Sequence, residues 1–119
     1  MFSFQKLRVY QDAKGLTKDV YTLLEKFPND EKYALCNQLR RAVVSVPSNI
    51  AEGISRNTNK EKFHFLGISY GSLMEVLCQL ELAFEMNYII KEELDELEKK
   101  IEIVAKEISG LRKSFAPTN

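Results

Sequence analysis

A chain of 119 residues has room for one hydrophobic core of ordinary size, and at this length no disulfide or metal is needed to hold it. With 45% hydrophobic and 29% charged residues it reads as a globular protein, which excludes a disordered tail or a collagen-like repeat. Lys+Arg 17 balances Asp+Glu 17, so the net charge by itself points to no class of partner.

Glycine and proline are scarce, 5 and 3, and the apolar residues recur at alternating steps of four and three, the pattern of one helical stripe. The first stripe is Val9, Ala13, Leu16, Val20, Leu23 and Phe27, and Phe27-Pro28-Asn29-Asp30 should stop it. Asn29 or Asp30 is placed to cap a second helix carrying Leu35, Leu39, Ala42, Val46 and Ile50. Pro47 falls inside that stripe, removes one backbone hydrogen bond from the carbonyl of Val43, and predicts a kink. After a break from Gly53 to Thr58, Thr58-Asn59-Lys60-Glu61 reads as a capping box opening a third helix. Its stripe is Phe63, Leu66, Tyr70, Leu73, Leu77, Leu80 and Phe84, and it ends around Asn87 to Ile90. An acidic first turn (Glu92, Glu93, Asp95, Glu96) then suits the positive end of a fourth helix with Leu94, Leu97, Ile101, Val104, Ile108, Leu111 and Phe115. Short connections join antiparallel neighbours, so the expected fold is all-α: a single up-down-up-down antiparallel four-helix bundle over residues 1–119. Helices of roughly 22–28 residues would make a rod about 35–40 Å long.

The third helix is apolar on more than one side. Phe65, Ile68, Val76, Ala83 and Met86 lie opposite its stripe, with Gly67, Gly71 and Ser72 between them. A bundle helix needs only one apolar stripe, so Phe65, Ile68, Ser72 and Val76 are candidates for a contact between copies of the chain. A wide core within one copy is the competing explanation.

Nothing in the sequence assembles a catalytic group. His64 is the only histidine, and neither a nucleophile–base pair nor the paired Glu-x-x-His of a di-metal bundle can be built around it. Cys36 and Cys78 lack a second ligand at metal spacing and read as buried free thiols in a reducing compartment. No Gly-rich phosphate loop is present. The expectation is no enzyme, no metal and no cofactor. Apolar runs fall short of the ~20 residues of a membrane span. The N-terminus has no basic stretch followed by an apolar one, so a cytoplasmic, membrane-free protein is expected.

Charge is unevenly distributed. Residues 1–62 hold 11 basic and 7 acidic side chains, and residues 63–119 hold 6 and 10. The basic half includes Lys6, Lys14, Lys18, Arg40, Arg41, Arg56, Lys60 and Lys62. Guanidinium and ammonium groups bind phosphate, which makes Arg40, Arg41, Arg56, Lys60 and Lys62 candidate nucleic-acid contacts. Glu52 in the middle of the polar stripe of the second helix fits a solvated or self-paired face equally well, and Glu52 and Arg56 are i,i+4 partners if the helix reaches them. Gly53 falls on the core side, where a missing side chain allows close helix approach, and Asn49 at the edge of the core could serve a backbone group freed by Pro47.

The segment from Gln38 to Gly53 (QLRRAVVSVPSNIAEG), with Arg56 after it, resembles the signature of the 23S rRNA intervening-sequence protein family of bacterial four-helix bundles. Phe4 to Leu16 and Phe63 to Glu75 (with Phe65-Leu66, Gly71-Ser72 and Glu75) extend the resemblance over nearly the whole chain; Tyr10 stands where the family more often has tryptophan. The resemblance implies a homopentamer. It also implies an accessory role: similar proteins are encoded in intervening sequences of 23S rRNA genes, or serve diversity-generating retroelements by binding RNA and the reverse transcriptase. Asn49, Glu52 and Gly53 belong to the family motif, as a structural or an interface element. Two functions are therefore carried forward, an oligomeric RNA-binding accessory factor and a protein-interaction scaffold that docks a partner encoded nearby.

Overall fold

The computed structural model describes residues 1–117. Among them a 3-10 turn (Ser3–Lys6) precedes α1 (Arg8–Leu24), a second 3-10 turn (Asn29–Glu31) leads to α2 (Leu35–Ile54), and α3 (Asn59–Glu85) and α4 (Lys91–Lys113) follow. Each helix packs on its neighbours in the chain and α1 closes on α4, so the four surround one core. The molecule is a rod of 47 × 24 × 21 Å; α3 and α4, at 27 and 23 residues, have the anticipated length, whereas α1 and α2, at 17 and 20, are shorter.

Polar contacts between helices fix the directions. Lys26 pairs with Glu93 at 2.8 Å and Asp19 with Lys100 at 2.6 Å, and the Asp12 carboxyl neighbours that of Glu107. Each step of seven residues back along α1 thus meets a step of seven forward along α4, an antiparallel pair held in heptad register. Thr17 reaches Val43 and Tyr21 reaches Arg40 between α1 and α2. Ser45 meets Ser72 and Gln38 meets Gln79 between α2 and α3. Between α3 and α4, Arg112 donates to the Phe63 carbonyl at 3.0 Å and lies 3.7 Å from its ring, while Lys91 at the start of α4 sits over Phe84. All neighbouring pairs run in opposite senses, as the sequence predicts.

The ends of the helices depart from the sequence pattern in informative ways. Phe27 is buried, as its stripe requires, yet α1 stops at Leu24 because Pro28 disfavours helical geometry in the residue before it. Neither Asn29 nor Asp30 caps α2; they form the 3-10 turn instead, and α2 begins at Leu35 without a side-chain cap. Thr58 does cap α3, its hydroxyl oxygen accepting from the Glu61 N–H at 3.1 Å. At the other end of α3, Asn87 takes the left-handed conformation (φ 64°), and the Tyr88 and Asn87 N–H groups bond back to the Ala83 and Phe84 carbonyls, closing the helix in a Schellman motif. Tyr88 then donates its hydroxyl to Glu31 at 2.6 Å and packs on Phe27, tying both turns at that end together.

Helix α2 is continuous through Pro47. The carbonyl that Pro47 deprives of its helical donor, that of Val43, is reached at 3.3 Å by the Thr17 hydroxyl of α1, which shares its single proton with the Ala13 carbonyl of its own helix at 2.8 Å. One turn further on, the buried Ser69 of α3 donates to the Val46 carbonyl at 2.8 Å. Asn49 serves neither group; its amide bonds to the carbonyl and hydroxyl of Ser45, both at 2.9 Å, which corrects the expected role. The cysteines also divide: Cys36 is buried, and desolvation pushes its thiol pKa up, whereas Cys78 is exposed, contrary to expectation.

Two outcomes follow. Thr17→Val keeps the shape of the side chain and removes the shared hydroxyl from the Val43 carbonyl, at a cost of about 0.5–1.5 kcal/mol. In a Pro47→Ala background the restored N–H serves that carbonyl, so the cost of Thr17→Val shrinks; thermal melts of the four proteins in the cycle read the coupling. The second concerns Glu107, whose carboxyl is raised from 4.5 to about 7 by burial first, then by the hydrogen bond and charge of Asp12, against partial relief from Arg8. A carboxyl with a raised folded-state pKa favours folding in its protonated form, so its contribution is fully present below pH 4.5 and is lost as pH rises to about 7. Glu107→Gln, which cannot ionise, should therefore raise the melting temperature at pH 8 and gain progressively less as the pH approaches 5.

Candidate nucleic-acid interface

The five cations singled out in the sequence do not form one patch. Arg40 and Arg41 are neighbours in α2 and look into different grooves. Arg40 turns toward α1, its guanidinium 5.9 Å from the Tyr21 ring. Arg41 turns toward α3 and lines an open polar groove of about 470 Å³ with Gln38, Ala42, Ser45, Ser72 and Glu75. Arg56 is fifteen residues further on, about 22 Å along the helix.

Arg56 and Lys62 are already engaged. Arg56 pairs with Glu52 at 2.7 Å, comes within 3.9 Å of Glu61, and lies 4.8 Å from the Phe65 ring. The Lys62 ammonium donates to the carbonyls of Ile54 (2.9 Å) and Arg56 (2.6 Å), two of the orphan acceptors where α2 ends. Both side chains stitch the turn between α2 and α3. Lys60, on the first turn of α3, is exposed.

The motif residues share that structural role. An added Cβ on the buried Gly53 would lie 2.8 Å from the Cβ of Phe65 and 3.5 Å from the Lys62 carbonyl oxygen, so glycine permits the close crossing of α2 and α3. Glu52 holds Arg56, and Asn49 holds Ser45, whose hydroxyl in turn meets that of Ser72 at 2.8 Å.

The surface expected between subunits is also redrawn. Val76 is fully buried and belongs to the core of its own chain, as does Ala83. Phe65 is half-buried between Gly53 and Arg56, and Ser72 is occupied by Ser45. Only Ile68 of the four stays open, at 39% exposure. The seam of α3 keeps Leu66, Leu73 and Leu80 of the stripe read in the sequence and takes Ser69, Val76 and Ala83 in place of Tyr70, Leu77 and Phe84, with Gln79 also buried. A polar Ser69 at a seam position hid it. What remains outside is a second ridge at steps of four and three: His64, Ile68, Gly71, Glu75, Cys78 and Leu82, with Met86 beyond.

Cations free of acid partners lie elsewhere. Between α1 and α2 an open groove of about 470 Å³ is lined by Gln11, Lys14, Gly15, Thr17, Lys18, Val44 and Pro47. Lys14 and Lys18 were part of the basic half of the sequence, but their place on the α1–α2 face that also carries Arg40 was not readable there. Thr17, Ser69 and the buried Gln79, whose Oε1 has no partner, were likewise missed, since a polar residue inside a helix carries no positional signal of its own.

The close crossing at Gly53 makes a sharp comparison. Gly53→Ala forces α2 from α3 and should cost about 1–3 kcal/mol as overpacking. Gly110→Ala meets nothing within 4 Å and should stabilise by about 0.5–1 kcal/mol through helix propensity, so the two variants should shift the melting temperature in opposite directions.

Among the described residues no helix is long and apolar enough to cross a membrane. No curated protein matches the chain. A crystal structure of a protein of unknown function from the S23 ribosomal protein family of Bacteroides thetaiotaomicron superposes with a TM-score of 0.82, at 20% identity, over 88% of this chain and 95% of that one. This likeness concerns the fold. In sequence, residues 5–110 match the 23S rRNA-intervening sequence protein family, a span that takes in all of α1, α2 and α3 and most of α4. With the signature segment forming the α2 side of the Gly53 crossing and the match covering nearly the whole bundle, the chain belongs to the 23S rRNA-intervening sequence protein family.

Proposed function

We propose that the protein is a non-enzymatic, self-associating accessory factor that binds RNA through the outer faces of α1 and α2. One observation carries this reading: the opposite charges of the bundle are separated in space. The carboxylates of α1, Asp12 and Asp19, turn to α4, where Glu107 and Lys100 engage them. Lys14, Lys18, Arg40 and Arg41 are left on the far side without an ion pair among the described residues. A basic face repeated by several copies adds phosphate contacts, and with them affinity.

Self-association is supported by the outer ridge of α3, where Ile68, Leu82 and Met86 are 39%, 41% and 51% exposed at heptad-like spacing. The pentamer implied by the family resemblance is the expected state. The same ridge favours the second reading, a scaffold that docks a partner protein such as a reverse transcriptase encoded nearby. The non-enzymatic reading rests on His64, the only histidine, which is exposed with its ring against Phe65 rather than beside a nucleophile.

Fluorescence anisotropy with a labelled structured RNA, titrated from low to physiological salt, tests the function. Micromolar or tighter binding that falls along a log–log salt slope of several units supports it. A flat signal at low salt overturns RNA binding and leaves the scaffold. Light scattering reads the assembly: a mass near five times 13.7 kDa is expected, falling when Ile68→Glu and Leu82→Glu are combined.

A further inference from the structure

We propose that the groove between α1 and α2 is the binding site, and that its ligand is a single-stranded nucleic acid, with phosphates on Lys14, Lys18 and Arg40 and a base against the ring of Tyr21. This rests on the RNA-binding reading above and names the site and the form of ligand within it.

The groove is built from two antiparallel edges. The groove itself is edged by Gln11, Lys14 and Lys18 of α1 and by Val44 and Pro47 of α2; the same helical steps of three and four carry the two edges on to Tyr21 and Arg40, which lie past its end. Because the helices run in opposite senses, Arg40 meets Tyr21 at one end and Pro47 lies toward Gln11 and Lys14 at the other. The three cations are held against rings or left open. The Lys14 ammonium lies 5.0 Å from the Tyr10 ring and the Arg40 guanidinium 5.9 Å from that of Tyr21, contacts that orient a charge without neutralising it. Carboxylates are displaced from this edge: Asp12 and Asp19 face α4, and Glu25 comes only one turn beyond Tyr21.

The floor decides between a duplex and a strand. Val44 is 41% exposed, Pro47 carries no N–H, and Gly15 leaves open space, since a Cβ there would meet nothing within 4 Å. Tyr21 is itself 41% exposed beside Arg40. A double helix presents phosphates and sugars to such a surface and has no use for an apolar floor or a free ring. A single strand uses both, its backbone tracking the cations while unpaired bases stack on the aromatic and apolar surface.

The test is anisotropy of the oligomeric protein with a labelled oligouridylate and with an RNA duplex, across salt. The wild-type protein should prefer the single strand. Combining Lys14→Ala, Lys18→Ala and Arg40→Ala removes three phosphate contacts, which should weaken binding about tenfold or more and flatten the log–log salt slope by about two units. Tyr21→Ala should weaken binding about fivefold or more with the slope unchanged. Gly15→Glu fits the open space and sets a negative charge in the groove, so it should weaken binding while every cation stays in place. Lys99→Ala with Lys106→Ala, on the exposed face of α4, should leave affinity within about twofold. Binding that survives the triple substitution but is lost with Arg41→Ala and Lys60→Ala overturns the groove and keeps the RNA reading. Equal affinity for the duplex overturns the single-strand assignment. No binding by the wild-type protein at low salt overturns both readings.

Discussion

The bundle depends on a proline that sits where a helix should not have one. Pro47 lies in the middle of α2, and the carbonyl it frees is buried with the core residue Val43. A buried carbonyl without a donor costs about as much as several exposed ion pairs contribute. The Thr17 hydroxyl, shared with the Ala13 carbonyl of its own helix, partly answers that need from α1, and the Ser69 hydroxyl reaches the Val46 carbonyl from α3. Helix α2 is thereby joined through its own backbone to both neighbours, and the lateral position of α1 and α3 follows from where those two hydroxyls can reach. Apolar burial supplies the bulk of the stability, but it is non-directional and does not select one register over another. Hydrogen bonds to fixed carbonyls do.

The same region sets the charges. With Thr17 turned to α2, Asp19, two positions on, lies on the flank of α1 that faces α4. The heptad pairs Lys26–Glu93, Asp19–Lys100 and Asp12–Glu107 then take up its acidic side chains against α4. The two ion pairs among them are half-exposed and contribute little stability each. Their larger effect is to remove carboxylates from the opposite edge, where Lys14, Lys18 and Arg40 are left. A chain with no net charge thus acquires a basic side by the way it divides its acids.

Family membership and surface chemistry point to different parts of the molecule. The signature segment QLRRAVVSVPSNIAEG lies on α2, and its polar residues are largely consumed by structure: Asn49 on Ser45, Glu52 on Arg56, Gly53 against Phe65. What it secures is the tight α2–α3 crossing and the turn that Lys62 caps. The cations that remain free are outside most of that segment, and Arg40 joins them only because adjacent residues on a helix point about 100° apart.

The sequence alone was enough for four helices, their antiparallel order and nearly all of the core, because heptad spacing, proline, a capping threonine and a polar turn are local signals that need no partner to be read. It was also enough for the Glu52–Arg56 pair and for the closeness allowed by Gly53, both of which follow from helical spacing within one element. Tertiary structure decided the rest. It took Ser69, Val76 and Ala83 into the α3 seam in place of Tyr70, Leu77 and Phe84 and left Cys78 outside, because a polar residue such as Ser69 joins a seam only when a neighbouring carbonyl receives it. It brought the Thr17 hydroxyl rather than Asn49 to the Val43 carbonyl, and it spent Arg56 and Lys62 on the turn while placing Lys14 and Lys18 on the same α1–α2 face as Arg40. Each of these depends on which side chain of one helix lies opposite which group of another, and that distance is set by the packing of the whole bundle rather than by any stretch of the chain.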